Sequence, residues 1–149
     1  DLIQDYQNGI PAHMPLIHAM GYSFERIMLD KLAASGLIIP NSSKSLIAEF
    51  DERFRGHTDA EFVDGSICEI KSTIEEKLLW VKKDKHIPNA HYVQAQMYMH
   101  HGGYEQEKIV YVARDTGQIL VRLVRYDAKT AKTYNEKAKR ILDLLDRYQ

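Results

Sequence analysis

The sequence predicts an α/β fold in which helices and strands alternate within one domain, residues 1–149. Apolar residues recur at helical spacing in some segments and at every second position in others, which indicates mixed secondary structure. Two turn sequences, Asp64-Gly65 and Asp115-Thr116-Gly117, each separate a pair of strand-like segments. A chain of 149 residues with 44% hydrophobic content is large enough for one domain with a real core. The predicted order of elements is α-β-β-β-α-β-β-α.

The first helix is predicted over Pro15–Ser35. Proline suits the first helical position, and Gly36 suits the residue after the last turn. Between them, apolar side chains keep the spacing of one helix face: Ile17, Met20, Phe24, Ile27 and Met28.

Three strands are predicted after a polar turn at residues 40–45. The first, Ser45–Glu52, alternates apolar and polar residues, and so does the second, Arg53–Val63. On the second strand, alternation puts one set of polar residues on a single face: Arg55, His57, Asp59 and Glu61. The third strand, Ser66–Thr73, follows the turn at Asp64-Gly65, so the second and third strands are expected to be neighbours.

Two segments follow the third strand. Ile74–Lys85 is charged and amphipathic, and it is expected to form a short helix or a structured loop. A helix is predicted over Pro88–His101, where Gly102-Gly103 would end it.

The last elements are a hairpin and a helix. Lys108–Arg114 and Gln118–Tyr126 are predicted to pair as antiparallel strands across a glycine-containing turn. Asp127 is predicted to cap a final helix that runs to about Tyr148. The apolar stripe of that helix is Ile141, Leu144 and Leu145.

Composition excludes several classes of protein. The single cysteine, Cys68, leaves no disulfide framework and no multi-cysteine metal site. No apolar run is long enough to span a membrane and the first residues do not resemble a signal peptide, so an intracellular protein without membrane contact is expected. The chain begins with Asp1 rather than Met, which indicates a trimmed fragment. Since the formal net charge is −1, any binding to DNA has to use a local basic patch.

The residues with the clearest chemical meaning are Asp59, Glu69 and Lys71. Glu69 and Lys71 share one face of the third strand, while Cys68 and Ile70 point to the core. If the polar faces of the second and third strands align, Asp59 joins them. Mg²⁺ and Mn²⁺ bind through one or two carboxylates together with water and a substrate phosphate, and a neighbouring lysine can stabilise charge on that phosphate. The alternative for an isolated Glu-x-Lys is a pair of solvated charges on the outer face of a hairpin.

Two further segments add polar residues at suitable positions. Glu25 lies in the helix before the sheet. Gln94 and Tyr98 lie four residues apart in the helix after the third strand, so they share one helix face. The Gln94 amide can donate to a phosphate and accept from a lysine or from water. The alternative is that Gln94 is an ordinary polar residue on the surface and Tyr98 an ordinary residue of the core.

Taken together, these residues resemble the PD-(D/E)XK nuclease superfamily, and within it the RecB-like and lambda-type exonucleases. That group shows a helix with an acid or a histidine, then G-x-x-D, then acid-x-Lys, then Q-x-x-x-Y. Here the pattern reads Gly21-Tyr22-Ser23-Phe24-Glu25, Gly56-His57-Thr58-Asp59, Glu69-Ile70-Lys71 and Gln94 to Tyr98. The resemblance extends from about Leu16 to the final helix, and the order of elements agrees. An acid at Glu25, where many RecB-like members carry histidine, looks more like the lambda-type enzymes.

The resemblance implies a restriction-endonuclease-like core, in which a mixed central β-sheet is flanked by α-helices. It implies Mg²⁺ or Mn²⁺ as cofactor, with the ligands Glu25, Asp59, Glu69 and the backbone carbonyl of Ile70. The catalytic residues that it implies are Asp59, Glu69, Lys71, Gln94 and Tyr98. Some nucleases of this group hold an iron–sulfur cluster with four cysteines. Because this chain has only Cys68, no such cluster is expected.

Other residues are candidates for contact with substrate. His57 shares the predicted strand face of Asp59, where it could touch substrate or be plainly solvated. A short basic run after the third strand could meet phosphates, although such runs are usually solvated: Lys82, Lys83 and Lys85. Trp80 and Tyr92 could stack on unpaired bases, although aromatic side chains are more often part of a core.

The leading interpretation is therefore a metal-dependent DNA exonuclease that acts in recombination, in repair or in the DNA processing of a phage or mobile element. One alternative is an endonuclease on the same fold, such as a restriction, repair or junction-resolving enzyme. Another is a degenerate domain that binds DNA without cutting it, although the intact Asp59, Glu69 and Lys71 argue against this. RNA is an alternative substrate. DNA is the expected partner, and a second copy of the chain, a helicase or a recombinase are further candidates.

Overall fold

A computed structural model describes residues 13–148, with side chains from Leu16 onward. The helices in this part of the chain are α1 (His13–Ala34), α2 (Glu75–Asp84), α3 (Asn89–Gly102) and α4 (Ala128–Arg147). The segment 74–85, for which a helix and a loop were both open, is therefore helical over most of its length.

The strands of the described residues form two sheets. They are β1 (Ile38–Ile39), β2 (Ser45–Ala48), β3 (Asp51–His57), β4 (Ala60–Phe62), β5 (Ile67–Thr73), β6 (Gln106–Ala113) and β7 (Ile119–Arg125). The larger sheet has the order β1-β4-β5-β6-β7, in which only β5 and β6 run parallel. A separate antiparallel hairpin consists of β2 and β3. The predicted mixed central sheet flanked by helices is confirmed.

The predicted strand Arg53–Val63 is wrong, because the segment is two strands in two different sheets. β3 ends at His57 and β4 begins at Ala60. Thr58 breaks the strand: its backbone N–H donates to the Lys44 carbonyl, and its hydroxyl accepts from the Lys44 N–H, each at 3.0 Å. The alternation that was predicted to put Asp59 on one strand face with His57 is therefore interrupted.

The predicted strand Ser45–Glu52 is also wrong in extent, because it contains a turn. β2 ends at Ala48, which is paired with Asp51 at the start of β3. The alternating pattern hides this turn because Phe50, within it, is apolar. Its ring stacks on Phe54 with a centroid distance of 5.5 Å and contacts His101 of α3. Packing on α3 therefore fixes a turn that the local pattern does not reveal.

The centre of the five-stranded sheet is buried on both faces, while one face of β7 is exposed at Ile119, Val121 and Leu123. Burial of apolar area, at roughly 25 cal/mol per Å², is the main source of stability. The core on the α1 side consists of Met28, Ile38, Ala60, Phe62, Cys68, Ile70, Val110 and Val112. The core on the side of α2 and α3 consists of Ile67, Leu78, Val81, Ala95, Met99, Ile109, Tyr111, Ala113 and Val124. Cys68 and Ile70 thus point into the core as predicted, while Glu69 and Lys71 point towards α3.

Gln96 joins α3 to the start of α4. Its fully buried side chain donates to the Arg125 carbonyl at 2.8 Å and accepts from the Asp127 backbone N–H at 2.7 Å. Asp127 in turn accepts from the backbone N–H groups of Lys129 and Thr130, so the predicted N-cap is confirmed. None of the helices in the described part of the chain has the length and apolar character needed to cross a membrane.

Candidate active site

Asp59 lies between the two sheets, one residue after the break in the strand. Its Oδ2 atom accepts a hydrogen bond from the Ile70 backbone N–H at 2.6 Å. Pairing between β4 and β5 extends only as far as Ala60 opposite Cys68, so the edge of β5 beyond that point is open to Asp59. The break at Thr58 therefore sets a carboxylate against an unpaired strand edge.

Glu69 and Lys71 form an ion pair on β5, in which Glu69 is buried and Lys71 is partly exposed. The Lys71 Nζ atom lies 2.7 Å from Glu69 Oε1, and Glu69 is only 5% exposed. The interpretation of these residues as solvated charges on an outer face does not hold for Glu69. Its second oxygen, Oε2, is buried and has no hydrogen-bond partner among the described residues. Because an unpartnered buried carboxylate oxygen is costly, it marks a place where a cation or a donor is expected to bind.

A chain of hydrogen bonds joins Lys71 to helix α3. Lys71 Nζ donates to Gln94 Oε1 at 2.7 Å, and Gln94 Nε2 donates to the Tyr98 hydroxyl at 2.9 Å. Both ends of the Gln94 amide are therefore engaged. As a result, the Lys71 ammonium group is held between one carboxylate and one amide, and the two segments Glu69-Ile70-Lys71 and Gln94 to Tyr98 are in direct contact.

Gly56 lies in β3, where the Tyr98 ring packs directly against its backbone. A Cβ atom added at position 56 would lie 2.5 Å from Tyr98 Cε1 and 2.9 Å from the Tyr98 hydroxyl oxygen. No side chain fits there while Tyr98 keeps its place, which is a physical reason for glycine at this position. The segment Gly56-His57-Thr58-Asp59 is thereby in contact with the same tyrosine that supports Gln94.

Gly56→Ala is expected to lower the free energy of unfolding by about 1–3 kcal/mol, the usual cost of overpacking. It should also reduce activity, because a displaced Tyr98 no longer supports Gln94. Urea unfolding and a cleavage assay measure the two effects. Gly21→Ala is the matched control, since a Cβ there meets only Ser72 Oγ at an ordinary 3.8 Å. In the double variant Gly56→Ala/Tyr98→Ala the two costs should not add; additive costs would contradict the contact.

The three acids proposed from the sequence, Glu25, Asp59 and Glu69, all have raised pKa values. Burial raises the pKa of Glu69, and the nearby Asp59 carboxylate raises it further, although Lys71 acts in the opposite direction. Burial also raises the pKa of Asp59, against the hydrogen bond from Ile70. Partial burial and then the charge of Asp59 raise the pKa of Glu25. A divalent cation beside these groups would stabilise their charged forms.

The donor atoms fit a hard divalent cation that uses few protein ligands. Asp59 and Glu69 offer carboxylate oxygens. Because the N–H and C=O of one strand residue point to the same side, the Ile70 carbonyl also faces the open edge beside Asp59. No three Asp, Glu, His or Cys side chains in the described part of the chain converge as a preformed cage. Mg²⁺ needs none, since it keeps several waters and binds through one or two carboxylates.

A cleft of about 650 Å³ opens beside Asp59, between α1 and residues 38–43. Glu25 and Arg26 from α1 line the same cleft, and the exposed Tyr22 lies at its border. Pockets for small ligands have volumes of roughly 300–1,000 Å³, so the cleft is large enough for a ligand group beside Glu25 and Asp59. Glu25 thus shares a cleft with Asp59, and its role as a metal ligand stays a prediction.

The residues predicted to bind substrate lie outside this cluster. His57 is exposed at the end of β3. The basic run is exposed at the end of α2 and just after it: Lys82, Lys83 and Lys85. None of the four lines the cleft beside Asp59. Their contact with substrate stays a prediction.

Glu107 is a further buried acid near the site, and it was not predicted from the sequence. It lies at the start of β6, opposite Ile67, and is 0% exposed. Neither of its carboxylate oxygens has a hydrogen-bond partner within the described residues. Burial, and after it the charge of Glu69, raises the pKa of Glu107 to about 8. The sequence does contain a signal for it: Glu107 shares a strand face with the apolar Ile109 and Tyr111.

Glu107 should make the protein less stable as the pH rises. Its pKa is about 8 in the folded state against an ordinary 4.5, so between these values the folded state binds more protons than the unfolded state. The free energy of unfolding should therefore fall with pH in this window, by up to about 1.4 kcal/mol per pH unit. Urea unfolding of wild type and Glu107→Gln from about pH 5 to pH 9 measures this. The variant should have a flatter profile and be the more stable protein at about pH 9; parallel profiles would contradict the assignment.

The fold of this chain is similar to that of solved structures. No family model and no curated protein sequence matches this chain. The crystal structure of an alkaline exonuclease, LHK-Exo from Laribacter hongkongensis, is similar over 88% of this chain and 73% of that chain, with a TM-score of 0.62 and 15% identity. The chain shares its fold with an exonuclease.

Two further crystal structures show the same similarity at 15% identity. LHK-Exo in complex with dAMP gives a TM-score of 0.62 over 87% of this chain and 72% of that one. The structure of SSO0001 gives 0.61 over 95% of this chain and 69% of that one. The restriction-endonuclease-like core predicted from the sequence is confirmed.

Proposed function

We propose that this protein is a metal-dependent nuclease that hydrolyses phosphodiester bonds in DNA and works from DNA ends. One observation carries the proposal: Asp59, bound at the open edge of β5, is near enough to Glu69 for their charges to interact, and Glu69 pairs with Lys71 while one of its buried oxygens has no partner among the described residues. A shared fold with an alkaline exonuclease supports the choice of DNA and of an exonuclease. The resemblance of the four sequence motifs to PD-(D/E)XK nucleases points in the same direction.

The proposed cofactor is Mg²⁺ or Mn²⁺. The groups that would hold it are Asp59, Glu69 and the carbonyl of Ile70, with Glu25 as a further carboxylate on the cleft. When bound, such an ion polarises the phosphoryl oxygen and lowers the pKa of the attacking water.

The chain's own residues supply a fixed charge and a fixed geometry. Lys71 places a positive charge where negative charge develops on the scissile phosphate. Gln94 accepts a hydrogen bond from Lys71 and thereby sets the direction of the ammonium group, and Tyr98 sets the direction of Gln94. A charge that is already in place stabilises the transition state without further rearrangement. The hydrogen bond from the Ile70 N–H holds the Asp59 carboxylate at the open edge of β5.

The experiment that tests this function is incubation with four substrates. They are end-labelled duplex DNA, single-stranded DNA, closed circular DNA and RNA of the same sequence, each with Mg²⁺, Mn²⁺ or excess EDTA. Linear DNA should be shortened from its ends, while the circle stays intact and EDTA stops the reaction. Cutting of the circle would favour an endonuclease, and binding without cutting would favour a DNA-binding module. Faster cleavage of RNA would overturn the choice of substrate.

A further inference from the structure

A second cleft adjoins Lys71, and we call it the Lys71 cleft. It has a volume of about 430 Å³ and lies between the end of β5, helix α2 and the start of α3. Lys77 and Trp80 of α2 line one side, and His91 of α3 lines another. Because pockets for small molecules have volumes of roughly 300–1,000 Å³, the cleft is large enough for one nucleotide.

Trp80 is an exposed aromatic side chain in the wall of this cleft. It is the one tryptophan of the chain and is 66% exposed. Leu78 and Val81 are the buried residues of the same helix and hold α2 on the sheet, so the indole is not needed for the core. Every nucleobase has a flat face that stacks on an aromatic ring, and exposed aromatics beside a basic groove are a common means of binding single strands.

The charges of the Lys71 cleft favour an anion. Lys77 lines it together with Lys71, whose charge is paired with Glu69, and Ser72 and Thr73 add hydroxyl groups. The described residues that line it include no Asp or Glu, whereas the cleft beside Asp59 contains several carboxylates. Lys77 forms no ion pair within the described residues, so its charge is available to a phosphate.

The inner wall of the Lys71 cleft is held by the core. His91 Nδ1 is hydrogen-bonded to the Tyr111 hydroxyl at 2.9 Å, and their ring centroids are 5.7 Å apart. Tyr111 is almost fully buried in the core beneath the cleft. The cleft thus combines a wall held by the core with an exposed indole, so little order has to be gained when a flat group binds there.

We propose that the Lys71 cleft binds one unpaired nucleotide next to the scissile phosphate, with its base on Trp80 and its phosphate beside Lys77. This inference rests on the proposed function, because it takes DNA as the substrate. A base inside a duplex is stacked on its neighbours and has to leave the helix before it can reach such a slot. The protein should therefore prefer single-stranded or frayed ends to blunt, stable ones.

Intrinsic fluorescence tests the proposal, since Trp80 is the one tryptophan. Wild-type protein is titrated with the tetranucleotide dT4 in Ca²⁺ and in EDTA, and then with an abasic tetramer that carries the same phosphates. Stacking of thymine should quench the fluorescence, while the abasic tetramer should leave it nearly unchanged. Binding is followed in parallel by the anisotropy of 5′-labelled tetramers.

Variants separate the base from the phosphate. Trp80→Ala should weaken binding of labelled dT4 by about 10-fold, the effect of one lost stacking contact, while Trp80→Phe keeps most of the affinity. Lys77→Ala should reduce the slope of log affinity against log salt by about 0.7, the contribution of one phosphate contact on a single strand. Lys129→Ala is the matched control, because Lys129 is exposed on α4 and lines neither cleft.

Three results overturn the inference, and they are distinguishable. If dT4 binds but neither quenches Trp80 nor depends on it, the Lys71 cleft is not the nucleotide site and the proposed function still stands. If dT4 and the abasic tetramer quench equally, the cleft does not read the base. If no DNA binds to wild type in Ca²⁺, the proposed function fails together with the site.

Discussion

Asp59→Asn, Glu69→Gln and Lys71→Met should each reduce DNA cleavage by about 10³-fold or more, because each removes a charge from the place where the phosphate reacts. The substitutions keep the approximate shape of each side chain. In Asp59→Asn, the amide oxygen of the new side chain can still accept from the Ile70 N–H, so the fold should be preserved. Initial rates on end-labelled linear DNA measure the loss.

These losses should be strongly non-additive, since the three residues act as one unit. The double variant Asp59→Asn/Glu69→Gln should be close to the worse of the two single variants. A double variant whose loss equals the product of two large single losses would count against one shared site. Asp143→Asn is the control, because Asp143 is an exposed acid on α4.

Substitutions in the Glu69–Lys71 ion pair should affect stability and activity differently. Lys71→Met leaves the buried Glu69 carboxylate without its partner at 2.7 Å. The expected cost is about 1–3 kcal/mol, less than in a fully buried pair, because Lys71 is partly exposed and Glu69, whose pKa is already raised, can take up a proton. Adding Glu69→Gln removes the stranded charge, so the double variant should regain much of the lost melting temperature. It should not regain cleavage. Recovery of both would mean that the pair serves the fold rather than the reaction.

The sequence predicted the parts of the site that depend on local pattern. Alternation on the third strand placed Glu69 and Lys71 on one face, and four-residue spacing placed Gln94 and Tyr98 on another. The expectation that the Gln94 amide accepts from a lysine agrees with the bond to Lys71. The helix positions were predictable for the same reason, since caps and glycines act within a few residues.

The sequence could not predict features that depend on distant partners. The break at Thr58 is made by bonds to Lys44, which is 14 residues away along the chain. Without that pairing, an alternating segment from 53 to 63 has the pattern of one long strand. The contact of Tyr98 with Gly56 joins α3 to a separate hairpin and leaves no local signal beyond a glycine. Glu107 was missed because the predicted strand began one residue after it.

Removal of divalent metal should abolish cleavage altogether. Excess EDTA should stop the reaction, and Mg²⁺ or Mn²⁺ should restore it. Ca²⁺ should support DNA binding with little turnover, because it accepts looser geometry and more ligands and so does not align the water. Since burial raises the pKa values of Asp59 and Glu69, and a bound cation needs both deprotonated, Mn²⁺ affinity should increase as the pH rises from about 6 to 8. Full activity in EDTA would overturn the mechanism.

Glu25→Gln decides whether the acid of α1 belongs to the metal site. If Glu25 is a ligand, the variant should bind Mn²⁺ more weakly, turn over more slowly and recover partly at high Mn²⁺. Its metal-free form should melt at a higher temperature than wild type, because the Asp59 charge and burial both disfavour the Glu25 carboxylate. If Glu25 is instead an ion-pair partner, the metal-free variant should melt at a lower temperature and its metal requirement should be unchanged. Thermal melts of both proteins with and without Mn²⁺, with Asp143→Asn as the control, distinguish the two roles.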